Sequence, residues 1–222
     1  MKKFNKVLSV VVASAMVMAM AGCGNTDNGS AATGTNAATE SAAADNGAAS
    51  GSVFKIGGIG PTTGGAAVYG LAVQHGAEVA VKEINEAGGI NGAQIEFQFQ
   101  DDEHDAEKSV NAYNTLKDWG MQALVGTTTS APCIAVADKT AADNMFQITP
   151  SGSAVECAAN PNVFRVCYSD PAQGTASAKY IGEHKLASKV AVIYDSSDVY
   201  SSGIYEKFAQ EAPNQEIGRA HV

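Results

Sequence analysis

Apolar positions recur along the chain with two periods, and their alternation predicts its architecture. Val53 to Ile59 reads as a strand that runs into the loop Gly60-Pro61-Thr62-Thr63-Gly64-Gly65. A helix follows, carrying Val73, Ala77, Ala80, Val81 and Ile84 at helical spacing until Gly88-Gly89 stops it. Gln94 to Gln100 alternates residue by residue, which sets one face against a core and the other in water, as at a sheet edge. The remaining strands, Ala123-Leu124-Val125, Phe146-Gln147-Ile148, Val163 to Val166 and Val190 to Ile193, are short and mostly apolar, with a helical segment between each pair. Continuous apolar strands alternating with helices predict an α/β fold, a doubly wound parallel sheet in three α/β/α layers with both faces covered. Ligand sites then belong at the carboxyl ends of the strands.

Ahead of these elements the pattern changes. Lys2, Lys3 and Lys6 precede an apolar run from Val7 to Ala21 that has the length of a signal-peptide core and is too short to span a bilayer. It ends in Met20-Ala21-Gly22-Cys23, which resembles the lipobox of bacterial lipoproteins, with Met20 where that pattern usually has Leu. Residues 1–22 therefore read as a lipoprotein signal peptide. Cys23 reads as the lipid-attachment site and mature N-terminus, placing the protein outside the cytoplasm and anchored to the cell membrane. Residues 23–52 are almost entirely small or polar and predict a flexible tether, because nothing there offsets the entropy of ordering a chain.

Composition narrows the partners. The 222 residues hold 14 Lys+Arg against 23 Asp+Glu, a formal charge of −9, and the acidic surplus lies in residues 53–215. An acidic surface argues against nucleic acid as a partner, and leaves the lipid as the only expected tie to a membrane. With Cys23 lipidated, Cys133, Cys157 and Cys167 remain, so at most one disulfide is possible and its pair stays open; the plain reading is three inert buried thiols.

Two loops carry the candidate chemistry. Gly126 to Pro132 and Thr149 to Ser153 are rich in hydroxyls and open directly into helices. Ser153 with Glu156 forms a capping box, and Ser130 precedes Ala131-Pro132, a sequence suited to a first helical turn. Two helix N-termini would then point free N–H groups into one crevice suited to a carboxylate; the alternative is that these serines only cap their own helices. Gly58-x-Gly60 lacks the spacing of a dinucleotide loop. The run Asp101-Asp102-Glu103-His104-Asp105 lacks calcium-loop spacing and sits at a helix start, where acids suit the dipole. No triad of nucleophile and base presents itself, so neither an enzyme, a metal nor a cofactor is expected.

Taken in order, Ile56-Gly57-Gly58-Ile59-Gly60-Pro61, Tyr69-Gly70, Ile84 to Gly92, Asp101-Asp102, Val125-Gly126, Ile148-Thr149-Pro150-Ser151, Phe164-Arg165 and Asp170 to Gly174 resemble one family. It is that of the substrate-binding lipoproteins of branched-chain amino-acid ABC transporters, the leucine/isoleucine/valine-binding family of type I periplasmic-binding-protein fold. The resemblance implies two lobes closing on a free amino acid and delivering it to permease subunits. It implies that Ser130, Ser151 and Ser153 bind the ligand's carboxylate and help with its ammonium, with Tyr69 packing on it from a first lobe (53–168) and Tyr200 from the start of a second (169–215). Asp170, Gln173 and Gly174 would shape the hinge. The last part departs from the family: the second lobe is incomplete, the residue expected to hold the ammonium is missing with it, and residues 216–222 read as a non-native tail on a truncated gene. A receptor's sensing domain, or a binder of another small amide or carboxylate, uses the same fold and remains an alternative.

Overall fold

The computed structural model describes residues 53–219; the expected signal peptide, tether and Cys23 lie outside the described residues. The chain forms β1 (Val53–Gly60), α1 (Ala67–Glu86), β2 (Gln94–Asp101), α2 (Ala106–Asp118), β3 (Ala123–Val125), α3 (Ser130–Ala142) and β4 (Phe146–Thr149). A 3-10 turn (Val155–Ala158), β5 (Val163–Arg165), α4 (Asp170–Glu183), β6 (Lys189–Val190), α5 (Val199–Glu211), a second 3-10 turn (Ala212–Gln215) and β7 (Gly218–Arg219) complete it. Among the described residues no helix is long and apolar enough to cross a membrane.

The main sheet is parallel throughout and ordered β2-β1-β3-β4-β5. Strand order reverses between β1 and β3, so the loops leaving these two neighbours diverge to opposite faces and open a crevice at their carboxyl ends. Local chemistry sets the element ends. Asp105 caps α2, its carboxylate accepting from Lys108 N at 2.8 Å. α1 ends where the Gly89 N–H reaches the Ile84 carbonyl at 2.8 Å; Gly88 and Gly89 adopt φ of 104° and 79°, which a side chain would disfavour.

One sheet face is packed as predicted. Ile59 and Leu124 meet Tyr113 and Leu116 of α2 and Val136 of α3 in a closed apolar cluster. On the other face α1 lies over β1 and β2, whereas Phe146 and Phe164 stack on one another at 5.4 Å and stay 46 % and 51 % exposed. Coverage of both faces thus holds over β1 and β2, not over β4 and β5. β4 also inverts the expected pattern, for its polar residues, Gln147 and Thr149, are the buried ones. Gln147 is held inside because its amide oxygen accepts from Thr140 Oγ1 at 2.7 Å and its nitrogen donates to the Gly126 carbonyl at 2.9 Å.

Two other strands differ from their patterns. β2 is an edge strand as predicted, but past the buried Ile95 its residues from Phe97 to Asp101 are all half-buried, because α1 and α2 touch it from opposite sides. The strand expected over Val190 to Ile193 is confined to Lys189–Val190, since its two-residue partner β7 offers no further ladder; Val192 and Ile193 are exposed. Ile217, in the stretch read as a foreign tail, is buried with Ala178, Phe208 and Ala212 in a second apolar cluster between α4 and α5.

Candidate ligand-binding site

A cavity of about 420 Å³ opens at the reversal of strand order. The loop after β1 feeds α1, whose first turn presents Tyr69. A Cβ on the next residue, Gly70, would collide with the Pro61 backbone, so glycine is what allows that loop to fold so close to the helix. The loop after β3 presents Thr128, Thr129 and Ser130, and that after β4 presents Ser151 and Ser153. Tyr168, Gln173, Asp198 and Tyr200 line the cavity from α4, α5 and the segments leading into them. All five residues expected to bind ligand, Tyr69, Ser130, Ser151, Ser153 and Tyr200, therefore surround one space.

Their roles differ from those expected. Ser130 does not cap α3: it is the first helical residue, and its Oγ accepts from the N–H groups of Ser153 and Ala154 at 3.1 and 3.2 Å. Ser153 forms no capping box. The helix expected after it is a single 3-10 turn beginning at Val155, with Ala154 at its cap and no side-chain bond there, because the Ser153 and Ala154 amides are already drawn to Ser130. Two converging helix N-termini thus reduce to one. The Ser151 hydroxyl donates to the Thr128 carbonyl at 2.6 Å, tying the two loops together, while Arg165 holds the Ser153 and Ala154 carbonyls from behind at 3.1 and 2.9 Å. Tyr200 stands in the first turn of α5 rather than in a loop, after Asp198, which caps that helix through Ser201 N at 2.9 Å.

The N-terminus of α3 is open. Thr129 occupies the cap position but makes no side-chain cap bond; its hydroxyl instead meets His104 Nδ1 at 2.8 Å. Backbone N–H groups of this first turn, backed by the helix dipole, favour an anion. Pro132 has no N–H to add. Tyr69, Tyr168 and Tyr200, 63 %, 66 % and 42 % exposed, rim the space with rings suited to an apolar group.

Several lining residues escaped the sequence reading. Thr128 and Thr129 belong to the hydroxyl-rich loop from Gly126 to Pro132, in which only Ser130 is expected to meet ligand. His104 belongs to the acidic run, whose carboxylates turn out to organise the loop: Asp101 accepts from Thr62 N at 2.8 Å and Glu103 N at 2.9 Å, and from the Thr63 hydroxyl at 2.6 Å. Burial works against the charge on Asp101, yet these bonds outweigh it and hold its carboxyl down at about 2. Asp102 goes the other way, pushed to about 6 by burial and by the neighbouring Asp101 charge against the pull of the His104 N–H. Gln173, expected only to shape the hinge, lines the cavity; Asp170 and Gly174 do not, and are buried where α4 meets α5. Of the three thiols expected to be buried, Cys133 and Cys157 are, while Cys167 is half-buried and lines the cavity. The adjacent Cys133 thiol and burial both keep Cys157 protonated.

Comparison with known proteins agrees with this geometry. A family model described as periplasmic binding protein matches residues 53–217. The chain is 36 % identical over 159 residues to Leu/Ile/Val-binding protein homolog 1 of Brucella abortus, covering 68 % of this chain and 41 % of that protein. It is 34 % identical over 153 residues to a leucine-, isoleucine-, valine-, threonine- and alanine-binding protein of Pseudomonas aeruginosa, with coverages of 68 % and 41 %. Among solved structures, a branched-chain amino acid transporter substrate-binding protein of Streptococcus pneumoniae in complex with isoleucine superimposes with a TM-score of 0.70 at 30 % identity, over 75 % of this chain and 47 % of that one. A leucine-binding protein of Thermotoga maritima superimposes with a TM-score of 0.69 at 26 % identity, over 76 % and 48 %. The chain thus spans about two-fifths of the length of the curated relatives it matches.

Proposed function

The chain belongs to the periplasmic binding protein family, and from that premise we propose that it captures a branched-chain or related small amino acid outside the cytoplasm and delivers it to an ABC transporter permease. The observation that carries this reading is the cavity at the strand-order reversal. An uncapped helix N-terminus there offers N–H groups to a carboxylate while three tyrosines offer apolar surface to a side chain. Binding alone suffices for this task, and no bond is made or broken. Ser130 contributes indirectly, by locking the 149–154 loop against α3; Ser151 and Ser153 supply polar edges; Tyr69 and Tyr200 close on the ligand from either side.

Calorimetric titration with a panel of amino acids tests the reading. Saturable heat with leucine, isoleucine or valine is expected, and its absence for all three would overturn the branched-chain assignment. We further infer that Cys23 is the lipid-attachment site. Expression in a bacterial host should then give a protein that partitions into detergent, and Cys23→Ser should move it to the aqueous phase; equal partitioning of the two would refute the anchor.

A further inference from the structure

Two thiols from separate elements are brought together beneath the cavity. Cys133 lies in α3 and Cys157 in the first 3-10 turn, and both are fully buried in one small cluster with Ala154. The Cys157 thiol donates to the Ser130 carbonyl at 3.6 Å, and Ser130 precedes Cys133 by three residues on the same face of α3. From the other side, the Cys133 sulfur stands 4.0 Å from the Cys157 carbonyl. Each sulfur therefore packs against the backbone around the other, the placement a disulfide between two elements requires. Burial of one thiol needs no further reason, since cysteine packs as a small apolar residue; convergence of two across 24 residues of chain does. Cys167 stands outside this cluster, half-buried at the cavity after β5.

The two sulfurs are not equivalent. The Gln147 side-chain amide donates to Cys133 Sγ at 3.6 Å. The Cys157 thiol, with Thr149 and Thr127, holds Cys133 below the usual thiol range although burial opposes them, whereas Cys157 stays protonated. Cys133 is thus the first of the pair to become a thiolate, the form that attacks a disulfide.

We propose that Cys133 and Cys157 form a disulfide site, oxidised by an external disulfide, which locks the loop carrying Ser151 and Ser153 against α3. The Cys133 thiolate attacks one sulfur of the oxidant and releases the other as a thiolate; Cys157, giving up its proton, then displaces the sulfur held on Cys133. One S–S bond forms in the protein, and the oxidant takes up two electrons and leaves as two thiols. The periplasmic binding protein family works outside the cytoplasm, where such oxidants prevail. Access comes through the 3-10 turn: Val155 and Glu156 are exposed, so opening this one turn uncovers both sulfurs while α3 stays in place. The loop wraps Cys133 closely, for a Cβ on Gly152 would stand 3.2 Å from its sulfur. The Ser130 hydroxyl holds the Ser153 and Ala154 N–H groups, and a Cys133–Cys157 bond would fasten the end of the loop beyond them.

Peptide mapping tests the site directly. Trypsin cleaves after Lys117, Lys139, Arg165 and Lys179, which puts Cys133, Cys157 and Cys167 in three separate peptides. The full chain, equilibrated with excess oxidised glutathione, alkylated and digested without reduction, should yield peptide 118–139 joined to 140–165 and lighter than their sum by two hydrogens. Three unlinked peptides, or a link through Cys167, would overturn the proposal. The oxidised chain should melt about 5–15 °C above the reduced one, and Cys157→Ser should abolish that difference; should this variant lose its cooperative transition, Cys133→Ala is the same control. An oxidised midpoint at or below the reduced one would overturn the lock. Because the loop lines the cavity, reduction should weaken leucine binding at least about threefold in the wild type and leave it unchanged in Cys157→Ser; equal affinity in both wild-type states would overturn the tie to the cavity. Only this last readout rests on the function proposed above: a chain that binds no leucine in either state overturns that function, while the peptide map and the thermal midpoints still decide the disulfide.

Discussion

Asp101 and Asp102 are adjacent, carry the same side chain and titrate in opposite directions. Asp101 is surrounded by donors that stabilise its charge, whereas Asp102 is fully buried with a single bond, from the His104 N–H at 2.9 Å, and its second oxygen unpartnered. The fold therefore protonates Asp102 at about 6 while the unfolded chain does so near 3.8. Between those values the folded state binds more protons, so this group's contribution to stability is greatest below pH 4 and declines as pH rises through 6. Asp101, held at about 2, contributes stability that is present above pH 4 and lost toward pH 2. Asp102→Asn should remove the first slope: relative to the wild type, its urea-unfolding free energy should improve by up to about 3 kcal/mol between pH 4 and 7. A flat difference across that range would refute the assignment. The same scale shows what a sequence withholds. That Ser130, Ser151 and Ser153 line one cavity follows from two hydroxyl-rich loops read at the carboxyl ends of neighbouring strands. Their partners do not follow in this way: Ser130 accepts from a loop 23 residues away, and no local pattern encodes a contact at that distance.

At the scale of elements, strand positions were legible and their faces only partly so. The apolar runs located β3, β4 and β5 to within a residue or so, because a strand buried in a parallel sheet must be apolar somewhere. Gln147 and Phe146 reversed the expected faces. A buried amide is tolerable when every group on it is paired, and Gln147 joins β4 to α3 through Thr140 and to the end of β3 through Gly126. That second bond fixes the start of the loop that carries Thr128, Thr129 and Ser130. Gln147→Leu keeps the volume but leaves the Gly126 carbonyl without this donor, so a loss of about 1–3 kcal/mol in unfolding free energy is expected. Hydrogen exchange should locate the effect, with faster exchange at residues 127–131 and little change in α2. Acceleration spread evenly over the sheet would mean that Gln147 serves the core in general rather than this loop.

At the scale of the whole molecule, the reversal of strand order placed the cavity before any side chain was considered, since β1 and β3 must diverge there. What the sequence could not express is how unevenly the chain is held together. The cluster of Ile59, Tyr113, Leu116, Leu124 and Val136 is sealed on four elements, whereas that of Ala178, Phe208, Ala212 and Ile217 is smaller, rests largely on α4 and α5, and adjoins a sheet of two-residue strands. Less buried apolar surface means a lower free energy of local opening. Amides of α4, α5 and β6 should therefore exchange with solvent faster than those of α2, α3 and β3, and should lose protection at lower urea. Ligand changes this in a specific way. A molecule held between Ser130 on one wall and Gln173, Asp198 and Tyr200 on the other binds only while both are folded, so at a hundredfold excess over its dissociation constant it adds about 2.7 kcal/mol to any opening that breaks the site. Protection should then rise most in the first turns of α4 and α5, the less stable wall, and less in α2, which does not line the cavity. Uniform protection without ligand, or a ligand effect confined to α3, would contradict a site that closes across the two walls.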